Sequence, residues 1–254
     1  MVEKKSTVSE HLIELRSRLL KSIIFLIIAF IICYIFSDKI YNFLVDPYAQ
    51  AVKGDGHNRR LIFTALHETF LTYLKLAFFA AFFFSCPLIL MQIWKFVAPG
   101  LYKDEKLALL PFLIATPILF LLGGMLVYYL IMPLAIKFFL SFESAGMTTN
   151  LPIQLEAKVN EYLSLVMKLI FAFGISFQLP VVLSLLARVG VVDSHFLKSR
   201  RKYVVVMIFA AAAFLTPPDP ITQIGLAIPL LILYELSIFS VKFIENKNLK
   251  NSDA

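Results

Sequence analysis

Six long apolar runs constrain this chain more than any other feature of its sequence. A helix needs about 20 apolar residues to cross the hydrocarbon layer of a bilayer. Of the 254 residues, 59% are hydrophobic, against about 45–50% in soluble domains. No long polar linker separates the runs. We therefore predict an all-α integral membrane protein with a single transmembrane domain over residues 1–254. Its six spans are expected at about 19–36, 70–94, 107–136, 162–187, 203–215 and 221–241.

The net charge of +7 is distributed unevenly along the chain. Sixteen of the 24 Lys and Arg residues lie in the N-terminal tail, the second and fourth connections between spans, and the C-terminus. The first and third connections together hold six. Positive residues concentrate on the cytoplasmic side of membrane proteins. The pattern therefore predicts cytoplasmic N and C termini, and it argues against the nucleic-acid partner that a basic composition would otherwise suggest.

The last two apolar runs look too short to cross a bilayer comfortably. At 13 residues, the run 203–215 reaches only about 20 Å as a helix. The segment 216–220, Thr-Pro-Pro-Asp-Pro, separates it from the run 221–241. Thinning of the lipid or association with partner helices can accommodate such a mismatch. The alternative is that the true boundaries lie one helical turn away from the predicted ones.

Acidic residues precede two of the spans on the predicted cytoplasmic side. Glu10, Glu14 and Arg18 are four residues apart and share one face of a predicted N-terminal helix. Ion pairs between residues i and i+4 explain these side chains without any function. Asp104 and Glu105 suit the N-cap and the first turn of the third span. Spacing alone therefore assigns all of these residues a structural role.

Polar side chains at membrane depth are few, and each is a candidate functional residue because its burial in lipid is costly. Gln178 lies well inside the fourth span, and Pro180 cannot donate a hydrogen bond to the carbonyl of Ser176. The Gln178 amide could therefore serve a binding role, or it could satisfy that carbonyl or a neighbouring helix. Glu235 is the only carboxylate clearly within a span. We expect it to pair internally or to extend towards the cytoplasmic interface.

The sequence contains little material for catalysis. His67 and Glu68 begin a zinc-protease HExxH pattern, but Leu71 occupies the position of the second histidine. Ser176, in the fourth span, resembles the nucleophile of a rhomboid-type intramembrane protease. A serine nucleophile needs a base within reach, and all four histidines lie outside the spans or at their edges. We therefore predict a protein that is not an enzyme, with no catalytic residue, metal site or cofactor.

A small-solute transporter is the remaining alternative. Such a protein needs a polar site near the midplane and often shows repeated halves. This chain offers only Gln178 and Glu235 for such a site, and it has no internal repeat. Cys33 and Cys86 fall inside apolar runs, where they suit helix packing and indicate no disulfide.

Five motifs follow one another along the chain between about residues 10 and 241. They are HLIELRSRL at 11–19, Asp-Pro at 46–47, WKFVAPGLYKDE at 94–105, FGISFQLP at 173–180 and LTPPD at 215–219. No single motif is decisive, but the ordered set is highly specific. Together they resemble TatC, the multispanning subunit of the twin-arginine protein translocase.

This resemblance implies a fold and a function. The fold would have six transmembrane helices, cytoplasmic termini and a concave, cupped-hand shape. The protein would be the receptor and core subunit of the translocase, binding the Arg-Arg signal peptides of folded proteins. It would export them across the cytoplasmic (inner) membrane with the proton-motive force. Its partners would be the single-span subunits TatA and TatB, in a hetero-oligomer with several copies.

The resemblance also assigns roles to particular residues. Glu14 and Glu105 would recognise the arginine pair, because a carboxylate binds guanidinium in a bidentate geometry that lysine cannot reproduce. The remaining signal-peptide surface would be Leu12, Arg16, Phe96, Leu101 and Tyr102. TatA and TatB would dock at Thr216, Asp219 and Gln223. The residues expected to act structurally are Pro47, Pro87, Pro99, Pro180, Pro217 and Pro218.

Gln178 departs from the family pattern. Many members of the family carry a glutamate at this position, facing a membrane-embedded concavity. Glutamine keeps the hydrogen bonding but cannot ionise, so the resemblance does not extend a proton-linked or charge-pairing role to Gln178. Nothing in the sequence explains the exchange.

Overall fold

The computed structural model describes residues 8–53, 60–97, 106–144, 153–188, 190–216 and 220–252. This part of the chain is helical, with two isolated β-bridges and no β-sheet. The helices, in chain order, are α1 (Val8–Ile35), α2 (Ser37–Ala51), α3 (Glu68–Val97), α4 (Lys106–Leu126), α5 (Met132–Leu140), α6 (Val159–Ser176), α7 (Leu179–Arg188), α8 (Ser194–Leu215) and α9 (Pro220–Ser252). A π-helical segment, Val127–Ile131, joins α4 to α5.

Within the described residues, five helical stretches are long and apolar enough to cross a membrane. They are Leu12–Ile35, Glu68–Ile93, Ile114–Leu140, Val159–Arg188 and Thr222–Asn246. Their mean hydropathies lie between 2.1 and 2.3. Many of their large apolar side chains point outward instead of into the protein core, which is the arrangement that lipid as a solvent permits. The chain is therefore an α-helical multi-pass membrane protein, as the apolar runs predicted.

The last helix corrects one expectation from the sequence. The apolar part of α9, Thr222–Asn246, has 25 residues, which correspond to about 37 Å of helix. The expectation that this span is too short is therefore wrong, because the helix continues past Val241 through charged residues. α8 has 22 residues, but its first half contains Lys198 and the basic run 200–202. Only the apolar part of α8 remains short.

Small residues bring α4 and α6 into close contact. A Cβ atom added at Gly123 would lie 2.7 Å from the carbonyl oxygen of Phe173, and one added at Gly174 would lie 2.7 Å from the ring of Phe120. Phe120 and Phe173 are completely buried. Helices in membranes commonly associate through small residues that allow the backbones to approach. This crossing therefore forms the centre of the core.

α1 packs against α3 along one narrow face. Cys33 of α1 is buried against Ala80 and Ala81 of α3, whereas most large apolar side chains of α1 are exposed. Both cysteines are buried and free. The expectation of no disulfide is therefore confirmed.

Helix α2 covers the end of the bundle that lies farthest from Val8, the first residue of α1. We call this end the outer end. The sequence predicted only a long connection at this place. The hydroxyl of Tyr128 donates to the carbonyl of Phe43, and that of Tyr162 to the carbonyl of Leu44, each at 2.9 Å. Pro47 is buried within α2. Because these tyrosines belong to the membrane-crossing helices, they fix α2 across the outer end.

Two irregularities interrupt the long helices. The π-helical segment Val127–Ile131 lies just before Pro133, and α4 continues through Pro111 and Pro117. Between α6 and α7 the chain makes a turn at Phe177 and Gln178, immediately before Pro180. π-Helical turns occur often at functional positions, and both irregularities lie beside cavities or buried polar side chains described below.

Candidate functional site

The N-terminal end of α1 carries an acidic side chain that already binds an arginine. Both Nη2 and Nε of Arg18 donate to Oε1 of Glu14, at 2.5 and 3.0 Å. The Glu14 side chain is 32% exposed and that of Arg18 is 22% exposed. The i,i+4 pairing predicted from the sequence is therefore present. Because both donors reach the same oxygen, Oε2 of Glu14 has no donor among the described residues.

Arg18 also links α1 to the end of α3. Its Nη1 lies 3.4 Å from Oε1 of Gln92. Phe96, one turn further along α3, is partly exposed at the same end of the bundle. Leu12 and Arg16 are exposed on α1. Leu12, Glu14, Arg16 and Phe96 therefore lie near the end of the bundle where Arg18 links α1 to α3.

Several predicted site residues lie outside the described part of the chain. Among the proposed signal-peptide residues these are Leu101, Tyr102 and Glu105. Among the others they are Pro99, Pro217, Pro218 and Asp219. The described part therefore contains one of the two carboxylates predicted to recognise arginine, together with its surroundings on α1 and α3.

Glu235 forms an ion pair between the last two helices. Its Oε2 lies 2.5 Å from Nη2 of Arg201, and both side chains are about half exposed. Nearby, Glu245 accepts hydrogen bonds from the backbone N–H and the hydroxyl of Ser194. These contacts join the beginning of α8 to the second half of α9. Internal pairing, one of the two expectations for Glu235, is therefore what the structure contains.

Gln178 is buried between α4 and the α6–α7 turn. Only 5% of the residue is exposed, and its Nε2 donates to the carbonyl of Thr116 at 3.0 Å. The amide therefore satisfies a neighbouring helix and not the carbonyl of Ser176. Oε1 of Gln178 is also buried, and it has no hydrogen-bond partner in the described part of the chain. The side chain thus has one satisfied group and one unsatisfied group.

The other predicted polar residues that the structure describes lie at the end of α8 and in the first turn of α9. The hydroxyl of Thr216 donates to the carbonyl of Ala212 at 2.9 Å, and Nε2 of Gln223 lies 3.3 Å from the carbonyl of Phe209. Thr216 is 6% exposed. It lines a cavity of about 850 Å³ that also borders α5, α6 and the segment before α6. Thr216 is therefore reached from that cavity, whereas Gln223 is partly exposed and does not line it.

The described residues form no obvious catalytic centre. No group of three His, Cys, Asp or Glu side chains among them could hold a metal ion. Ser176 makes no hydrogen bond to a histidine in this part of the chain. Gln178 and Glu235 contact different partners on different helices, so they do not form the single midplane site that a solute transporter needs.

The fold and these surfaces together define a class of protein. They describe a polytopic α-helical membrane protein whose polar groups lie at the two ends of the bundle and at one helix break. A sequence model of the family described as "Sec-independent protein translocase protein (TatC)" matches residues 10–229. The chain belongs to this family, the TatC proteins.

Relatives and solved structures agree with this assignment. The chain is 49% identical to the Sec-independent protein translocase protein TatC of Magnetococcus marinus over 253 residues, covering 100% of this chain and 90% of the relative. It is 48% identical to that of Rickettsia prowazekii, with 95% of each chain covered. A crystal structure of the twin-arginine translocase receptor TatC superimposes with a TM-score of 0.78 at 37% identity, covering 93% of this chain and 100% of that one.

The structure also adds residues that the sequence did not suggest. Gln92 lies 74 residues from Arg18, and no spacing rule connects the two. Arg201 lies 34 residues from Glu235, and the sequence places it only among the positive charges of the fourth connection. The only indication in the sequence that Gln92 could belong to this site is its position near the predicted cytoplasmic end of a span. Glutamines at such positions are too common for this indication to be useful alone.

Proposed function

We propose that this chain is the receptor and core subunit of a twin-arginine translocase, and not an enzyme. In this proposal it binds the Arg-Arg signal peptides of folded proteins at the cytoplasmic surface. It then directs their export across the cytoplasmic membrane with the proton-motive force. The order of the family motifs along nearly the whole chain supports the proposal, as does the similarity to a crystallised twin-arginine translocase receptor.

The observation that carries the proposal is the contact between Glu14 and a guanidinium group. Oε1 of Glu14 accepts two N–H groups of Arg18, so the carboxylate lies where an arginine can approach it. An exposed i,i+4 pair is worth only about 0.3–0.5 kcal/mol. Arg18 is therefore a weak competitor, and an arginine of a signal peptide can share or replace its contact. Glu105 would bind the second arginine, with Leu12, Arg16, Phe96, Leu101 and Tyr102 around the pair.

The proposal includes six crossings with both termini in the cytoplasm, within a single domain. The five long apolar stretches and the shorter α8 would provide these crossings. Basic side chains near α7, α8 and the end of α9 support this orientation. The outer end defined above would then face away from the cytoplasm.

TatA and TatB are the proposed partners of the region where α8 ends and α9 begins. The short apolar part of α8 leaves a mismatch with the bilayer that partner helices can fill. Thr216, Asp219 and Gln223 would provide the polar contacts. Co-purification of this chain with a small single-span partner tests this part of the proposal. Purification of the chain without such a partner from membranes that contain one would contradict it.

Crosslinking tests the recognition of the signal peptide directly. We expect an Arg-Arg signal peptide to crosslink to membranes that contain this chain, and a Lys-Lys peptide to crosslink much less. Glu14→Gln should reduce the Arg-Arg signal about tenfold, because a hydrogen bond to a charged group is worth about 1.5–3 kcal/mol. Glu245→Gln is the matched control, since that carboxylate is already occupied by Ser194. Equal crosslinking of the two peptides would refute the recognition claim.

A further inference from the structure

Two cavities meet at the outer end, and their linings differ in character. The first, of about 470 Å³, is mainly apolar: it is lined by Phe79, Phe83, Phe84, Leu121, Met125 and Ile170, among others, and Lys39 also borders it. The second, of about 510 Å³, is lined by polar side chains that include Asp46, Gln50 and Lys137. Phe43, Tyr128 and Tyr129 line both cavities. The two cavities are therefore adjacent, with these three aromatic residues between them.

The aromatic partition between the cavities is firmly held. The rings of Phe43 and Tyr128 stack with centroids 4.3 Å apart and an interplanar angle of 2°. Tyr129 packs edge-on against Tyr128 at 4.9 Å. Both tyrosines lie in the π-helical segment, and the hydroxyl of Tyr128 is bound to the backbone of α2. These three aromatic residues therefore hold a fixed boundary between the apolar cavity and the polar cavity.

The apolar cavity opens on the side of the helices that faces lipid. Leu121, Met125 and Tyr129 follow one another at intervals of four residues along α4 and the π-helical segment, and they are 42%, 47% and 70% exposed. Phe84 of α3 is 60% exposed on the opposite wall. Water does not fill an apolar space favourably. In a bilayer, an acyl chain is the molecule that is both available and able to fill it.

The polar cavity carries charges of both signs. Oδ2 of Asp46 accepts a hydrogen bond from Nε2 of Gln50, and Lys137 is exposed in the last turn of α5. A tyrosine such as Tyr129, with a largely exposed ring, is typical of the boundary between hydrocarbon and headgroups. An ammonium beside a carboxylate complements a ligand that has a phosphate and a primary amine. A phospholipid with an amine headgroup has both.

We propose that these two adjacent cavities together bind one glycerophospholipid with a primary-amine headgroup, from the leaflet at the outer end. One acyl chain fills the apolar cavity beside Leu121 and Met125. The phosphate binds Lys137, and the ammonium group binds the carboxylate of Asp46. This site is separate from the Glu14 surface and does not depend on signal-peptide recognition.

The acyl-chain contact is tested with two adjacent leucines. The purified chain is incubated with mixed micelles that contain phosphatidylethanolamine, and bound lipid is counted by native mass spectrometry. Leu121→Trp fills the apolar cavity, whereas Leu122→Trp is the matched control, because Leu122 is also 42% exposed but does not line the cavity. The added indole occupies the space of the acyl chain, so the variant should lose the bound lipid. We expect this loss for Leu121→Trp only, and equal retention by the two variants would overturn the proposal.

The headgroup contacts are tested with phosphatidylcholine, whose methylated amine cannot donate to Asp46. The wild-type chain should bind phosphatidylethanolamine about tenfold more tightly than phosphatidylcholine, and Asp46→Asn should abolish this preference. Lys137→Gln should weaken the binding of both lipids, whereas Lys53→Gln, which lines neither cavity, should not. Equal wild-type binding of the two lipids would overturn the assignment of Asp46. Unchanged binding by Lys137→Gln would overturn that of Lys137.

Discussion

Replacing Gly123 with alanine tests how closely α4 and α6 must approach each other. The added Cβ would lie 2.7 Å from the carbonyl oxygen of Phe173, whereas ordinary contact begins at 3.4 Å, so the helices would have to separate by about 0.7 Å. The obstacle is backbone, which cannot rotate away as a side chain can. Overpacking of this kind costs about 1–3 kcal/mol.

The separation also acts on a buried hydrogen bond. Thr116 lies two helical turns before Gly123, and its carbonyl accepts the 3.0 Å hydrogen bond from Gln178. A shift of about 0.7 Å takes this distance beyond the range of a good hydrogen bond, and such a bond is worth about 1 kcal/mol. We therefore expect Gly123→Ala to lower the free energy of unfolding by about 2 kcal/mol, or roughly 30-fold in the unfolding equilibrium.

Reversible unfolding in mixed detergent micelles measures this free energy. Gly225→Ala is the matched control, because its Cβ would meet only the terminal Cδ1 of Ile131, at 3.2 Å. In a double-mutant cycle, Gln178→Met should remove part of the effect of Gly123→Ala, since both act on the same contact. A Gly123→Ala variant that unfolds within about 0.5 kcal/mol of the wild type would refute the reasoning, because surface changes have effects of that size.

Three further substitutions test other contacts in the same unfolding assay. Tyr162→Phe removes the buried hydrogen bond to the carbonyl of Leu44 and should cost about 1 kcal/mol; an effect no larger than that of Tyr129→Phe, at a residue 70% exposed, would contradict this. Arg201→Gln should cost less than about 1 kcal/mol, because the ion pair with Glu235 is half exposed; a larger loss would mean that the pair is buried in the membrane. Ser194→Ala removes one of two hydrogen bonds to Glu245, and it should cost about 1 kcal/mol and speed proteolysis between α7 and α8. Unchanged proteolysis would show that this contact does not hold the beginning of α8.

The sequence predicted those features that depend on one dominant physical rule. Lipid requires long apolar helices, so hydropathy alone located the runs at 70–94 and 162–187. The i,i+4 geometry of a helix brings Glu14 and Arg18 together wherever α1 lies. Neither inference needs any knowledge of how the helices pack.

Features that depend on tertiary packing were not predictable in this way. α2 has a proline and several charged or polar side chains, so its sequence does not predict a helix. Its place is set by hydroxyl groups of Tyr128 and Tyr162, which are 85 and 118 residues from their acceptors. The contact between Arg18 and Gln92 likewise joins residues from different helices. Such contacts follow from the arrangement of the helices and not from any local pattern.

Gln178 shows how packing changes the meaning of one side chain. The carbonyl of Thr116 accepts a hydrogen bond from the Nε2 group of Gln178. An ionised glutamate has no donor, so it could not make this contact with α4. The glutamine at a position where the resemblance implies glutamate therefore has a structural reason in this chain. Oε1 remains buried without a described partner, at a cost of about 1–3 kcal/mol. The Nε2 group of Gln178 therefore has a structural role in packing against α4. Only Oε1 of Gln178 is left for a role in binding.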